Sequence, residues 1–180
     1  EEEKKRFFLF SFVSALLTQR LAQIKGIPIH GLLYSQMLLR HIGYLFFCEL
    51  EIDIMAGLLK NNDETLQTFL EGQLQQTGFT HIALSKYILE KWHLPQAFVD
   101  AACCYTHCPD DVSHRKIMTF CEEFVWAVLH NHIIEELPYF FIFTEKELLM
   151  SLSLLDEVIE GVLPKIKYFM DAYQLDIAYY

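Results

Sequence analysis

Between Ile117 and Leu129, the apolar residues Ile117, Phe120, Cys121, Phe124, Val125, Val128 and Leu129 recur at steps of three and four. Only a helix brings that spacing onto one face, because about 3.6 residues complete a turn, whereas a half-buried strand needs strict alternation. A similar period runs through most of the chain. It restricts the fold to helices that bury apolar stripes against one another. With 180 residues, 53% hydrophobic side chains, 15 Phe and 9 Tyr, there is enough apolar surface for one core that needs no staples. We therefore expect an all-α chain, a single compact helical bundle over residues 1–180.

Punctuation marks divide the chain further. Residues 1–24 read as one long helix with Glu1, Glu2 and Glu3 at the positive end of its dipole, ended by Gly26-Ile27-Pro28. Helices are expected over 32–47 and 50–60, with a stop and restart at Asn61-Asn62-Asp63 before a helix over 64–76. Thr80 is placed to cap the helix that carries Ile82, Leu84, Tyr87, Ile88 and Leu89. After a corner at His93-Leu94, Pro95 starts another helix with the apolar face Phe98, Val99, Ala102 and Cys103, closing near Pro109. Thr144 and Glu147 form a capping box, Gly161 and Pro164 should kink the last stretch, and residues 137–143 read as a buried loop.

Charge and hydropathy exclude several functions. A net charge of −10 works against binding to a phosphate backbone, which rewards basic proteins through counterion release. The longest apolar run, 7–17, contains Ser11 and Ser14 and is 11 residues long, whereas a spanning helix needs about 20. No basic leader precedes it, so a secretory signal is not expected either. The 5 cysteines are read as reduced thiols in a cytoplasmic protein. The acidic start without Met reads as a boundary within a longer chain. With 7 glycines and no Gly-rich phosphate cradle, nucleotide binding of that kind is not expected.

The chemistry-bearing residues cluster in four short motifs: Arg40-His41-Ile42-Gly43, Gly78-Phe79-Thr80-His81, Trp92-His93-Leu94-Pro95 and His107-Cys108-Pro109. In this order and at these gaps they resemble the HDOD domain, the output-domain relatives of HD phosphohydrolases. The resemblance implies an HD-like helical fold. Metal-using relatives carry an adjacent His-Asp pair in a Leu-Leu-His-Asp-Ile-Gly context, where this chain reads Leu38-Leu39-Arg40-His41-Ile42-Gly43. Arg40 and His41 thus occupy degenerate positions, together with His81, Thr106 and His107; Thr106 stands where the family has the first histidine of its His-His-x-Pro motif. No histidine lies between residues 1 and 25 to supply an early ligand. A guanidinium at Arg40 would also repel a cation. Gly78, Phe79, Trp92 and Pro95 read as architectural, with the Trp92 indole locking the corner between two helices.

Plainer roles compete at each position. His81 can hydrogen-bond a neighbouring loop, and His41 can pack beside Gly43 or plug the former metal pocket. Arg40 can pair with an acid such as Glu71 or Glu49. Cys104, His107 and Cys108 put soft donors within one helical turn, a spacing that suits zinc, although no second donor pair from another element accompanies them. No metal and no cofactor are expected.

By resemblance the chain is a non-catalytic bacterial regulatory module that works through a protein partner, either a signalling protein or a second copy of itself. Members of the family generally carry a further helical half before the HD-like half, which is expected here to be missing or diverged. The alternative is a metal-dependent phosphohydrolase with an incomplete HD site, using His81, His107 and carboxylates such as Glu71 or Asp110. Tyr44, Phe46 and Phe47 are more aromatic than one buried face requires, which points to a groove or an association surface.

Overall fold

A computed structural model describes residues 2–28, 30–50, 65–102, 113–130 and 153. Among these residues seven helices follow in order: α1 (Glu2–Ile24), α2 (His30–Arg40), α3 (Gly43–Leu50), α4 (Leu66–Thr77), α5 (His81–Lys91), α6 (Gln96–Ala101) and α7 (Ser113–His130). Among the described residues there is no strand, and the helices form one all-α compact bundle. No helix among them is long and apolar enough to cross a membrane.

α1 is the centre of the bundle. Its middle is apolar on nearly every side, with Phe10, Val13, Ala15, Leu17, Leu21 and Ala22 all buried, so it must be enclosed rather than laid on a surface. It packs against α2 and α7, while α3 packs on α5, α2 on α6, and α4 on α7. α1 ends in a Schellman motif. Gly26 adopts φ +69°, the Ile27 amide donates to the Ala22 carbonyl at 2.8 Å, and the Gly26 amide donates to Gln23 at 3.0 Å.

The helix predicted over 32–47 is instead two helices. The turn His41-Ile42 separates α2 from α3, closed by short bonds from the Ile42 amide to Leu39 and from the Tyr44 amide to His41. Gly43 explains the break: a Cβ there would lie 2.2 Å from the His81 carbonyl oxygen and 2.4 Å from the Ser85 amide nitrogen. Backbone meets backbone at that point. The Ser85 hydroxyl completes the junction by accepting from the Gly43 amide at 2.8 Å and donating to the His81 carbonyl at 2.9 Å.

The expected Thr80 cap of α5 is in place, and α4 ends on a glycine cap beside it. Gly78 closes α4 at φ +84°, and the Thr80 hydroxyl accepts from the Ala83 amide at the start of α5. Phe79 packs edge-on to Phe47, ring centroids 5.2 Å apart. Pro95 lies at the N-cap of α6, one residue before the first turn in which it was expected. In α7 the predicted face is buried at Ile117, Phe120, Cys121, Phe124 and Val125. Glu122, Glu123, Trp126 and Ala127 are buried as well, so α7 also turns a charged face inward.

Trp92 does not lock the corner. Its indole is 54% exposed, and its ring partner among the described residues is Phe46, itself 42% exposed, met edge-on at 6.3 Å. Tyr44 and Phe47 are buried, which leaves Phe46 as the exposed ring of that trio. The segments expected over 51–60, at Asn61-Asn62-Asp63, around Thr144 and Glu147, at Gly161 and Pro164, and over 137–143 lie outside the described residues.

Candidate functional site

Arg40, His41 and His81 come together in the core, joined by two residues that the sequence reading did not select, Gln73 and Glu122. Arg40 is the last residue of α2, which aims its side chain at the C-terminal end of α6 and at α7. Its Nε donates to Glu122 Oε1 at 2.5 Å, and its Nη1 donates to the Ala101 carbonyl. The second bond satisfies a carbonyl left over at the end of α6, where the helix dipole also favours a cation. Glu71 is not the partner found for Arg40, and the side chain of Glu49 lies outside the described ones. Glu71 is exposed and accepts from Gln67 at 2.9 Å, while Glu122 is fully buried, 82 residues away in sequence.

The histidines form a chain whose protons can be assigned. The His81 backbone amide donates to Gln73 Oε1 at 2.9 Å, which fixes the orientation of that amide. His81 Nδ1 lies 2.9 Å from the same oxygen and must therefore carry a proton. His81 Nε2 is then the acceptor for His41 Nδ1, 3.1 Å away. That leaves His41 Nε2, which stands 2.9 Å from Glu122 Oε1 without aligning as a regular hydrogen bond.

Burial pushes His41 below the usual imidazole range; the Glu122 carboxylate pulls upward and Arg40 pushes down. Burial likewise drives His81 well below that range, with the charges of His41 and Arg40 acting in the same direction. Next to Glu122, burial raises the Glu123 carboxyl to about 7, and the Glu122 charge adds to the effect.

Aromatic rings close the remaining sides. Phe7, from α1, stands edge-on to His81 at 4.9 Å and to His41 at 5.4 Å, and Phe10 stands edge-on to His41 at 5.2 Å. Tyr44 meets His81 at 5.6 Å. Where an early ligand would have to come from α1, the helix thus offers rings without donor atoms.

A divalent ion does not fit this set. Three of the four imidazole nitrogens are committed to hydrogen bonds within the chain, the fourth faces Glu122, and a guanidinium already holds that carboxylate. Among the described residues no group of three His, Cys, Asp or Glu stands together as metal donors. His41 and His81 are 3% and 0% exposed. His41 is buried and hydrogen-bonded to His81, and His81 bonds Gln73 of helix α4 rather than a loop. Thr106, His107, Asp110 and the candidate donors Cys104 and Cys108 lie outside the described residues.

A sequence profile of the HDOD domain matches residues 1–108. No curated protein and no solved structure matches the chain. The matched span is more than half of the 180 residues and contains Arg40, His41, His81 and the Trp92-His93-Leu94-Pro95 corner, and the chain belongs to the HDOD family.

Proposed function

We propose that this domain is a non-catalytic regulatory module that acts through contacts with a protein partner. One observation carries the reading. The cation in the centre of the HD-like core is the Arg40 guanidinium, bonded to Glu122 and Ala101, at the place where a hydrolase of this type would hold metal-activated water. A permanent, immobile charge of this kind holds helices α2, α6 and α7 in register but supplies no nucleophile. The aromatic enclosure of His41 and His81 supports the same reading, since general acid–base work needs a substrate within hydrogen-bond reach. A rigid core leaves the surface as the part that can act.

The test is a hydrolysis assay on the purified chain, using cyclic dinucleotides and nucleotide phosphates with added Mn²⁺ or Mg²⁺. No turnover above the buffer rate is expected. Turnover that His81→Ala abolishes would instead establish the phosphohydrolase.

A further inference from the structure

We infer that the corner following α5 is the docking surface of the module, and that it takes an acidic peptide segment of a partner protein carrying an apolar anchor residue. The inference rests on the proposed regulatory function and adds the surface and the chemistry of the partner. Three observations converge on this corner.

The first is apolar exposure. Trp92 and Phe46 form an edge-to-face pair with both rings open to solvent, and Leu45 beside them on α3 is 41% exposed. Large aromatics left in water are costly, and their rigid rings give much contact area for little ordering entropy.

The second is backbone strain. α5 ends in the same Schellman geometry as α1, with the Leu94 amide donating to Leu89 at 3.1 Å and the His93 amide to Glu90 at 3.0 Å. The left-handed position is glycine in α1, whereas here it is His93 at φ +55°. A β-carbon in that conformation works against stability, and glycine would remove the strain. His93 is exposed, so packing does not account for an imidazole at this position.

The third is charge. The chain carries a net −10, yet the exposed face of α5 leading to the corner bears Lys86 and Lys91 beside Glu90, with Lys91 Nζ 5.4 Å from the centre of the exposed Tyr87 ring. This sign of charge attracts an acidic segment and disfavours a second copy of the same acidic chain.

The experiment titrates the full chain against a fluorescein-labelled twelve-residue peptide of Asp and Glu flanking Leu and Phe, with a Lys-for-acid version as control, and reads anisotropy. The acidic peptide should bind and the basic control should not. Trp92→Ala should weaken binding by at least about tenfold. Lys86→Glu with Lys91→Glu should weaken it and reduce its salt dependence. His93→Gly separates function from architecture: it should raise the melting temperature by about 2–4 °C while lowering affinity. No binding of the acidic peptide, equal binding of the basic control, or affinity unchanged in Trp92→Ala would overturn the inference. The regulatory reading would still stand or fall on the hydrolysis assay, which uses none of these variants.

Discussion

Replacing Arg40 by Met tests how much of the fold depends on the buried cation. Methionine keeps the unbranched stem and most of its volume, so the loss of hydrophobic burial is small and the change is mainly electrostatic. The bonds lost include one from Nε to Glu122 at 2.5 Å and one from Nη1 to Ala101, both with a charged donor. Bonds of that kind contribute about 1.5–3 kcal/mol each, and removing one partner of a buried ion pair costs about 3–5 kcal/mol because the other charge is left without compensation. We expect about 3–5 kcal/mol, a large share of the roughly 5–15 kcal/mol typical of a whole domain. In a chain of 180 residues this corresponds to a drop in melting temperature on the order of 10 °C.

Adding Glu122→Gln removes the stranded charge. The double variant should recover at least about 2 kcal/mol of the loss, because the residues are in direct contact and their effects do not add. Urea denaturation followed by far-UV circular dichroism measures both quantities. A single-variant cost below about 1 kcal/mol, or a double variant no more stable than the single, would refute the electrostatic reasoning.

Gly43→Ala should be severely destabilising, by about 3 kcal/mol or more, since the new methyl would meet the His81 carbonyl and the Ser85 amide, which are backbone atoms of a packed helix. A melting temperature within about 2 °C of the parent would contradict that contact. Because His41 and His81 are held below their unfolded value of about 6.5, their contribution is present above that pH and lost as pH falls through the folded values. Stability should therefore decline on acidification below about 6.5, and His81→Gln should flatten the decline in a pH series of urea midpoints. Glu123 works in the opposite sense. Its folded value of about 7 lies above the unfolded one, so it favours folding at low pH and loses that contribution as pH rises toward 7, and Glu123→Gln should gain on the parent over that interval. Cys121 is fully buried with its thiol raised to about 12, so iodoacetamide should leave it unmodified in the native chain and alkylate it in urea, as mass spectrometry of the peptide containing it would show.

Much of this fold is legible in the sequence because local chemistry decides it. Thr80, Gly78 and Gly26 act as caps through bonds made within a few residues of themselves, and the α7 face follows from period alone. The break at His41-Ile42 is not legible in the same way. The apolar pattern Leu38, Leu39, Ile42 continues through it, and the reason for the turn is the approach of α3 to α5, a contact between residues about 40 positions apart. Gly43 is the local hint, a residue without a Cβ at the point of closest approach.

The site divides similarly. Arg40, His41 and His81 stand out because they fall in recognisable motifs, but their partners do not. Glu122 sits one residue from the apolar stripe of α7, where a carboxylate would ordinarily face water, and only the fold places the guanidinium opposite it. Gln73 is an amide in a helix with other glutamines, and nothing in its neighbours marks it as the acceptor that sets the tautomer of His81. Trp92 reads as architectural in the sequence, at the corner before Pro95, whereas its indole is 54% exposed and the partner that would bury it is absent among the described residues.

The most direct check on the replacement of metal by arginine is the metal content of freshly purified protein, measured by plasma mass spectrometry alongside that of His81→Ala. With Arg40 holding Glu122 and the imidazoles bonded to one another, the parent should carry no stoichiometric Mn, Fe or Zn that the His81 substitution removes. One or two equivalents of a divalent ion in the parent, lost in His81→Ala, would mean that the core holds a working metal centre and that Arg40 is not its cation.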